Sequence, residues 1–383
     1  MRTAVIGGRL QGLEAAYLAM KAGWQVTLID RREDVPARNL CDRFFCLDAS
    51  RSEELAAALE GVNLIIPALE NRAVLASLAE ASEKYSIPYA CDLAAYDLAA
   101  SKTRSDRLFS EIDIPAPRPW PHCGYPLIAK PAASSGSEGV LLLQNEAELR
   151  TFQTRPGFNA GQWVIQEYLE GPSYSIEVIG CGGAYRPLQV TDLEMDAIYD
   201  CKRVLAPSGL TIEQQKELAE IAVKIAAELK LEGIMDVEVI LHDGCLKVLE
   251  IDARLPSQTP TAVYKSTGIN MLELIGECFV YGRVAPAPQP VAERAVIFEH
   301  IVVSPGRLEV TGEHAVAAAG PLAYVEDFFG ADEALTNYRP GRAEWMATLI
   351  MTADSRSGLQ AKRAAVIGRI GSAMKIGPEG VSL

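Results

Sequence analysis

The stretch from Gly233 to Pro260, GIMDVEVILHDGCLKVLEIDARLPSQTP, predicts two β-strands joined by a tight turn. Apolar and polar residues alternate before the turn, and the Asp-Gly pair at 243–244 is a strong hairpin signal. Because side chains alternate between the faces of a strand, Glu250 and Asp252 project to one side. Glu238, on the partner strand, is in a position to face them. Three acids would therefore lie on one surface of the hairpin.

Three neighbouring carboxylates repel one another unless a cation lies among them. Hard oxygen ligands of this kind suit Mg²⁺, which commonly bridges protein carboxylates and nucleotide phosphates. The alternative is a hairpin whose acidic face is simply solvated, and the spacing alone does not separate the two interpretations.

Length and composition narrow the class of protein. The 383 residues provide for two or three domains with a large core, and 49% of them are hydrophobic. The net charge of −14 argues against a nucleic-acid partner, because phosphate binding needs a basic face. No apolar run is long enough to span a bilayer, and the start of the chain lacks a secretory signal pattern, so we expect a cytoplasmic protein without membrane association. The eight cysteines show no Cys-x-x-Cys spacing, which indicates neither a zinc site nor a redox pair.

Alternating strands and helices open the chain and predict a Rossmann-like domain over residues 1–98. A glycine turn at 7–12 starts the first helix, where backbone N–H groups attract anions. The turn is not Gly-x-Gly-x-x-Gly, so it does not indicate NAD, and a turn needed only for packing is the alternative. Glu70 and Asn71 follow a predicted strand, and the alternative to a binding role is that they only cap the next helix. The candidates for a second nucleotide or a cationic substrate at the strand ends are Arg9, Leu10, Gln11, Asp30, Asp48, Glu70 and Asn71.

A proline-rich segment at 114–119 marks a domain boundary, and Lys130 follows on a predicted strand. The Gly/Ser-rich loop at 134–140 comes next. A lysine beside such a loop suits phosphate, because the lysine supplies a charge and the loop supplies backbone donors. It is not a Walker A loop, since no Gly-Lys-Ser/Thr follows, and a surface hairpin is the alternative.

Residues 163–179 predict a strand, a Glu-Gly-Pro turn and a second strand. Backbone groups of the first strand are placed to meet an adenine ring, and Glu170 or Glu177 to accept from ribose hydroxyls. A purely structural hairpin is the alternative. Residues 200–203 predict a loop whose cations, Lys202 and Arg203, suit a triphosphate or an acyl-phosphate. Further strands are predicted at 294–303, 307–316 and 345–351.

The order of these motifs resembles the ATP-grasp superfamily of carboxylate–amine ligases. The motifs are Lys102 on a helix, Ile-Pro-x-Pro, Lys130-Pro, the Gly/Ser loop, Gln-Glu-Tyr-Leu-Glu-Gly, Asp-Val-Glu and Glu-Ile-Asp-Ala-Arg. The resemblance covers essentially the whole chain and implies a combined α/β and α+β architecture, the ATP-grasp fold. Its parts would be the Rossmann-like domain at 1–98, a linker helix with a lid subdomain at 99–185, and a catalytic subdomain at 186–383.

In that superfamily ATP lies between two α+β subdomains, so the resemblance implies roles for individual residues. Glu238, Glu250 and Asp252 would hold two Mg²⁺ ions. Most members have Asn at the position of Asp252, so this site carries one more negative charge and its metal stoichiometry stays open. The implied ATP-binding residues are Lys102, Lys130, Ser134, Ser135, Gly136, Ser137, Glu167, Tyr168, Leu169, Glu177 and Glu250.

Three longer motifs, at 7–18, 233–238 and 250–261, are similar to the pyrrolysine-biosynthesis ligases within this superfamily. Those enzymes join 3-methyl-D-ornithine to L-lysine. The resemblance implies that ATP activates the first carboxylate as an acyl-phosphate, which the side-chain amine of L-lysine then attacks. Arg254, Lys130 and Lys202 would be catalytic. The implied substrate residues are Asp236, Arg254, Pro256, Ser257, Gln258, Thr259, Pro260, Thr261 and Glu313.

Two alternatives stay open. One is an ATP-grasp ligase for other substrates, against which the Pro-Ser-Gln-Thr-Pro motif argues. The other is a non-catalytic nucleotide-binding protein, against which the intact Lys130, Glu238, Glu250 and Arg254 argue. The sequence identifies no general base for the lysine amine. It does not fix the oligomeric state, and a homodimer is one option.

Overall fold

Three β-sheets organise the chain in the computed structural model, which describes residues 1–133, 139–283 and 293–382. The strands are β1 Arg2–Ile6, β2 Gln25–Asp30, β3 Arg43–Cys46, β4 Leu64–Pro67, β5 Leu127–Pro131, β6 Leu141–Leu143, β7 Trp163–Glu167, β8 Ser173–Cys181, β9 Ala184–Pro187, β10 Thr191–Met195, β11 Cys201–Ala206, β12 Gly233–His242, β13 Cys245–Asp252, β14 Ala295–Ser304, β15 Arg307–Thr311, β16 Ala323–Phe328, β17 Ala331–Thr336, β18 Trp345–Ala353 and β19 Val381–Ser382. The helices are α1 Leu10–Lys21, α2 Arg72–Tyr85, α3 Leu93–Ala99, α4 Lys102–Glu111, α5 Glu146–Thr154, α6 Ile212–Leu229, α7 Thr259–Thr267, α8 Met271–Tyr281, α9 His314–Ala317 and α10 Arg356–Met374.

The N-terminal layer is a parallel sheet in the order β3-β2-β1-β4, packed against α1 and α2. The parallel pairing of β1 with β2 and β4 confirms the Rossmann-like alternation. At the start of α1, a Cβ atom added to Gly12 would lie 1.9 Å from the carbonyl oxygen of Gly7. The glycine turn is therefore required by the close approach of the helix to the strand, which favours the packing interpretation of this turn.

The lid is the small antiparallel sheet β6-β5-β7, and its central strand carries Lys130. The large sheet has twelve strands, ordered β13-β12-β8-β10-β11-β14-β18-β17-β16 with β9, β15 and β19 attached at its sides. Strand β8 pairs with β12 along its length, so the large sheet begins at Ser173, upstream of the boundary expected at residue 185. The fold places the lid opposite the β12–β13 hairpin.

The hairpin turns as its sequence predicts but contains one additional feature. Asp243 and Gly244 both have positive φ, at 50° and 79°, as a two-residue turn requires. The ladder then shifts register, so that Leu249 is an extra residue and Glu238 pairs with Glu250. Without this bulge Glu250 would lie opposite Val237 and face the other side of the sheet. The bulge therefore brings the acids of the two strands onto one face.

Two local predictions were wrong. Residues 201–206 form strand β11 rather than a loop, because they pair with β10 and β14 and the Arg203 side chain reaches the buried Glu299. The strand expected at 307–316 ends at Thr311, and α9 begins at His314, whose backbone N–H donates to Asp200. In the described part of the chain, no helix is both long enough and apolar enough to cross a membrane.

Candidate active site

Two cavities open on the acidic face of the hairpin. The lid cavity, about 840 Å³, lies between the lid and the hairpin and is lined by Lys102, Lys130 and residues 166–169. The acidic cavity, about 990 Å³, lies between the hairpin, the start of α1 and the start of α7. Glu238 and Glu250 line both. The two cavities therefore share the carboxylates that the sequence predicts as metal ligands.

The lid cavity brings together most of the residues predicted to bind ATP. Lys102, Lys130, Glu250 and the run from Glu167 to Leu169 all line it. Of the remaining predicted residues, Glu177 does not line the cavity, and Ser134, Ser135, Gly136 and Ser137 lie outside the described residues.

Two lysines flank Glu250 in the lid cavity. The Lys102 ammonium lies 3.1 Å from a carboxylate oxygen of Glu250, and Lys130 donates to the carbonyl oxygen of the bulged Leu249 at 3.4 Å. Burial lowers the pKa of Lys130. Burial would raise the pKa of Glu250, but Lys102 and Lys130 hold it below its usual value. Positive charge is thus concentrated where phosphate groups would enter.

At the end of β7, one backbone N–H group is available to donate a hydrogen bond to a ligand. The N–H of Glu167 donates to Arg118 at 2.9 Å, and that of Tyr168 donates to Pro126 at 3.3 Å. The N–H of Leu169 has no hydrogen-bond partner among the described residues. The Glu167 carboxylate is held by Lys247 and Arg118; burial alone would raise its pKa, but these cations lower it to about 2. Leu169 is therefore the best placed of the three to meet an adenine ring.

Glu177 does not lie where the ribose contact was expected. It is fully buried on β8 opposite Asp236, and it lines neither cavity. Burial, together with the neighbouring Asp236, raises the pKa of Glu177 to about 8. The sequence identified the strand, but the alternation of residues along it does not show that this side chain is buried.

The three predicted metal ligands share one face. Glu238 pairs with Glu250, and Asp252 pairs with Asp236, so four carboxyl groups lie together. Burial and the charges of Asp236 and Glu250 raise the pKa of Glu238 well above its usual value. Burial likewise raises the pKa of Asp252 to about 7. A buried set of mutually repelling hard oxygen donors fits a divalent cation such as Mg²⁺.

Two of these acids are paired with cations. Glu250 is paired with Lys102, whereas Asp252 is paired with Arg254 at 2.9 Å. In the described ranges, the sets of three ligand atoms that lie within 4.8 Å of one another are elsewhere: Cys181, Glu232 and Cys278, and Asp196, Asp200 and His314.

The acidic cavity collects most of the predicted substrate residues. Arg254 reaches Glu70 at 2.6 Å and so connects the hairpin to the N-terminal layer. Pro260 and Thr261 do not line the cavity; they are buried in α7, where the N–H of Thr261 donates to Glu14 at 2.6 Å. The predicted residues that do line it are Asp236, Arg254, Pro256, Ser257, Gln258, Thr259 and Glu313.

The loop before α7 orients a carboxylate in this cavity. Gln258 has a φ of +71°, which is rare for a residue other than glycine. Its side-chain amide donates to Glu313 at 2.8 Å, and the Ser257 hydroxyl donates to the same carboxylate oxygen at 2.7 Å. The Gln258 carbonyl oxygen Oε1 is buried and has no hydrogen-bond partner in the described structure.

The candidates in the N-terminal layer separate into two groups. Leu10, Gln11 and Glu70 line the acidic cavity, and Gln11 donates to Glu70 at 3.0 Å. The others have local structural roles and line neither cavity. Asp30 accepts from the N–H groups of Gly8 and Arg32, Asp48 accepts from Ser50, Asn71 caps α2, and Arg9 precedes α1. The geometry therefore assigns this layer to the acidic cavity and gives no support to a second nucleotide site.

The comparisons with known proteins agree with this geometry. An ATP-grasp domain profile matches residues 99–258. The 3-methyl-D-ornithine–L-lysine ligase of Methanosarcina acetivorans is 38% identical over 318 residues, which cover 82% of this chain and 83% of that protein. The ligase of the same name from Methanosarcina barkeri is 35% identical over 301 residues, 78% of each chain. This chain belongs to that ligase family.

Solved structures of more distant proteins show the fold of this ligase. The biotin carboxylase domain of 2-oxoglutarate carboxylase from Hydrogenobacter thermophilus, solved with MgADP, has a TM-score of 0.73 at 17% identity and covers 96% of this chain and 89% of its own. N5-carboxyaminoimidazole ribonucleotide synthetase from Thermotoga maritima has a TM-score of 0.67 at 18% identity, covering 96% and 98%. The ATP-grasp fold expected from the sequence motifs is confirmed.

Some residues that line the two cavities or lie beside them were not predicted from the sequence, and one predicted residue lines neither cavity. Met195 and Tyr199 line both cavities, and nothing in their local sequence distinguished them. Glu14 did carry a signal, since it is the one acid in the apolar helix α1. Burial raises its pKa to about 7. Conversely Lys202, expected to be catalytic, lies on β11 and lines neither cavity.

Proposed function

We propose that this enzyme joins the carboxylate of 3-methyl-D-ornithine to the side-chain amine of L-lysine, with conversion of ATP to ADP and phosphate. The names of the relatives support these substrates. The observation that carries the proposal is the pair of cavities that share Glu238 and Glu250, one with lysines and one with acids. A nucleotide and two cationic amino acids would then meet at one set of carboxylates.

The lid cavity is the proposed ATP site. Lys102 and Lys130 would contact the phosphates, and the Leu169 amide would donate to the adenine ring. Transfer of the terminal phosphoryl group depends on positioning and charge neutralisation, which two fixed ammonium groups supply. The lysine at 130 is 6% exposed, so its charge is poorly screened by water.

Glu238, Glu250 and Asp252 are the proposed Mg²⁺ ligands, with two ions as the working number. Bound Mg²⁺ would neutralise phosphate charge during transfer. Lys102 would keep Glu250 ionised, since an ammonium group favours the charged carboxylate beside it.

The acidic cavity is the proposed amino-acid site. The substrates carry ammonium groups, and Glu70, Asp236 and Glu313 would receive them. Arg254 would stabilise the oxyanion that forms when the amine attacks the acyl-phosphate. Ser257, Gln258 and Thr259 would hold the amino and carboxylate groups of the first substrate. We place the reaction in the cytoplasm, where ATP and free lysine are available.

Turnover by the purified protein tests the proposal. ADP release is measured with ATP and Mg²⁺ in the presence of each amino acid alone and of both together, and the product is identified by mass spectrometry. We expect rapid ADP release and a lysine amide only with both substrates. A panel that replaces 3-methyl-D-ornithine with D-ornithine, L-ornithine or D-alanine tests the specificity. Amide formation with an unrelated acid, and none with 3-methyl-D-ornithine, would assign the chain to a different ATP-grasp reaction.

A further inference from the structure

The proposed reaction needs a proton acceptor, because the side chain of free lysine is an ammonium ion with a pKa of about 10.4. Several acids of the acidic cavity are already engaged. Glu70 and Asp252 are paired with Arg254, and Glu250 is paired with Lys102. Asp236 lies opposite Asp252, one of the proposed Mg²⁺ ligands, and accepts from the buried Ser175 hydroxyl. A carboxylate tied to a fixed cation is a poor proton acceptor, since the cation stabilises its ionised form.

Glu313 has a different geometry. Both of its hydrogen bonds, from Ser257 and Gln258, reach the same oxygen, Oε2. The other oxygen, Oε1, has no hydrogen-bond or ion-pair partner among the described residues, while the side chain lines the acidic cavity. One oxygen is thus fixed by neutral donors and the second is free to take a proton.

Gln258, which donates to Glu313, has a strained backbone conformation. Its φ of +71° lies in a sparsely populated region for a residue with a Cβ atom. Such conformations persist where the surrounding structure imposes them, and they cluster at functional sites. Here the strained residue directs its side-chain amide to Glu313 and also towards the carbonyl oxygen of Cys201, at 3.4 Å. The loop therefore orients the Glu313 carboxylate.

We propose that Glu313 is the general base that takes the proton from the attacking lysine ammonium. This inference rests on the proposed ligase function. The ammonium N–H bond breaks, its proton goes to Glu313 Oε1, and the freed nitrogen lone pair forms the bond to the acyl carbon. The bond from that carbon to the phosphate oxygen then breaks. A second nitrogen proton leaves with the phosphate, so the products are a neutral amide, hydrogen phosphate and protonated Glu313.

The surroundings favour proton uptake at this position. Burial, with a contribution from the charge of Asp200, raises the pKa of Glu313, while its two hydrogen bonds and Arg254 oppose the rise. The other ionisable groups that face it are Glu14 on α1, Glu238 on β12 and Cys201 on β11. A base is most effective when its pKa approaches the working pH.

Hydroxylamine distinguishes a general base from a residue that positions the activated substrate or supports the fold. It is largely neutral near neutral pH and attacks an acyl-phosphate without needing a base. We compare Glu313→Gln with the wild type, using ATP, Mg²⁺ and 3-methyl-D-ornithine with either L-lysine or hydroxylamine. We expect the variant to form hydroxamate at close to the wild-type rate and to lose about 100-fold in kcat with lysine. The lysine rate of the variant should rise about tenfold per pH unit as free lysine deprotonates.

The control is Glu309→Gln, a partly exposed acid of β15 that pairs with Arg307 and lines neither cavity; it should match the wild type with both nucleophiles. Equal loss with lysine and hydroxylamine would show that Glu313 positions the activated substrate or supports the fold. No loss with either would also overturn the proposal. If the wild type makes neither the lysine amide nor the hydroxamate, the ligase function has failed rather than the assignment of the base.

Discussion

The lid cavity and the acidic cavity meet at the same two carboxylates but differ in their charge. The lid cavity places two lysines beside a wall rich in apolar side chains. The acidic cavity is lined by seven acids and one arginine: Glu70, Asp200, Asp236, Glu238, Glu250, Asp252 and Glu313 with Arg254. A polyanion suits the first environment and an ammonium-bearing molecule suits the second. Two adjoining environments of different charge therefore meet on one face of the hairpin.

Glu238 and Glu250 show what this difference does to individual groups. They are cross-strand neighbours, yet the lysines lower the pKa of Glu250 against the effect of burial, whereas burial and nearby acids raise that of Glu238. Two glutamates on the same face therefore have pKa values that are shifted in opposite directions. The charges that each cavity contributes, rather than the strand itself, determine how the shared acids behave.

Removing a shared acid should have the largest effect, because it damages both cavities. Glu250→Ala takes away a proposed Mg²⁺ ligand and leaves Lys102 without this carboxylate. We expect ADP release and product formation to fall together by roughly a thousandfold, the consequence of losing several kcal/mol of transition-state stabilisation. Steady-state turnover at saturating substrates measures the loss. Turnover near the wild-type level, with an unchanged melting temperature, would show that Glu250 is not a metal ligand.

Lys130→Met should affect the lid cavity alone. The methionine keeps the apolar stem and removes the charge from a site that is 6% exposed. Loss of a hydrogen bond to a charged phosphate costs about 2 kcal/mol, so we expect the KM for ATP to rise roughly 30-fold. The KM values of both amino acids should stay within twofold. Lys84→Met, an exposed lysine on α2, is the matched control. A parallel rise in the amino-acid KM values would show that the cavities do not act separately.

The hairpin shows how far the sequence determines this site. The Asp-Gly turn and the two strands follow from local residues, and both are present. The bulge at Leu249 does not follow from them, since an unbroken ladder would turn Glu250 away from Glu238. Its position depends on the tertiary surroundings of β13, where Lys130 donates to the Leu249 carbonyl. The sequence suggested three acids on one face, but the backbone irregularity that places them there is visible only in the structure.

Glu177 and Lys202 show the complementary failure. Each lies on a strand of the large sheet, and alternation along a strand gives two faces without saying what covers each face. For Glu177 one neighbour is Asp236, opposite it on β12, whose charge helps to raise its pKa. Neighbours of this kind come from residues far away in the chain. The turn at Asp243 and Gly244 was predicted correctly because the residues that determine it are local.

Glu70→Gln tests the acidic cavity from the side of the N-terminal layer. The change removes the charge that Arg254 and the proposed ammonium group share, while the amide still accepts from Gln11. We expect the KM of an amino-acid substrate to rise about tenfold, the loss of one partly exposed charge interaction, with the KM for ATP unchanged. Asp48→Asn is the control, because Asp48 lies in the same layer but lines neither cavity. An equal effect of both substitutions would support a wider binding site in the N-terminal layer that includes Asp48.

The smallest effect concerns stability rather than turnover. Burial raises the pKa of Glu14 from 4.5 to about 7, against the hydrogen bond from Thr261. Below about pH 4.5 the carboxyl is protonated in both states, so it has no pH-dependent effect on stability. Between 4.5 and 7 the unfolded chain ionises first, and the folded state loses stability as the pH rises. The total is at most about 3 kcal/mol and is complete above pH 7.

Glu14→Gln removes this titration and keeps an oxygen that accepts the Thr261 N–H. The unfolding free energy of the variant relative to the wild type should therefore increase between pH 5 and 7.5. Urea denaturation at several pH values measures it, with the exposed Glu83→Gln on α2 as the control. Parallel pH curves for variant and wild type would show that Glu14 is ionised in the folded protein. A rising difference would mean that the burial of Glu14 costs stability at neutral pH.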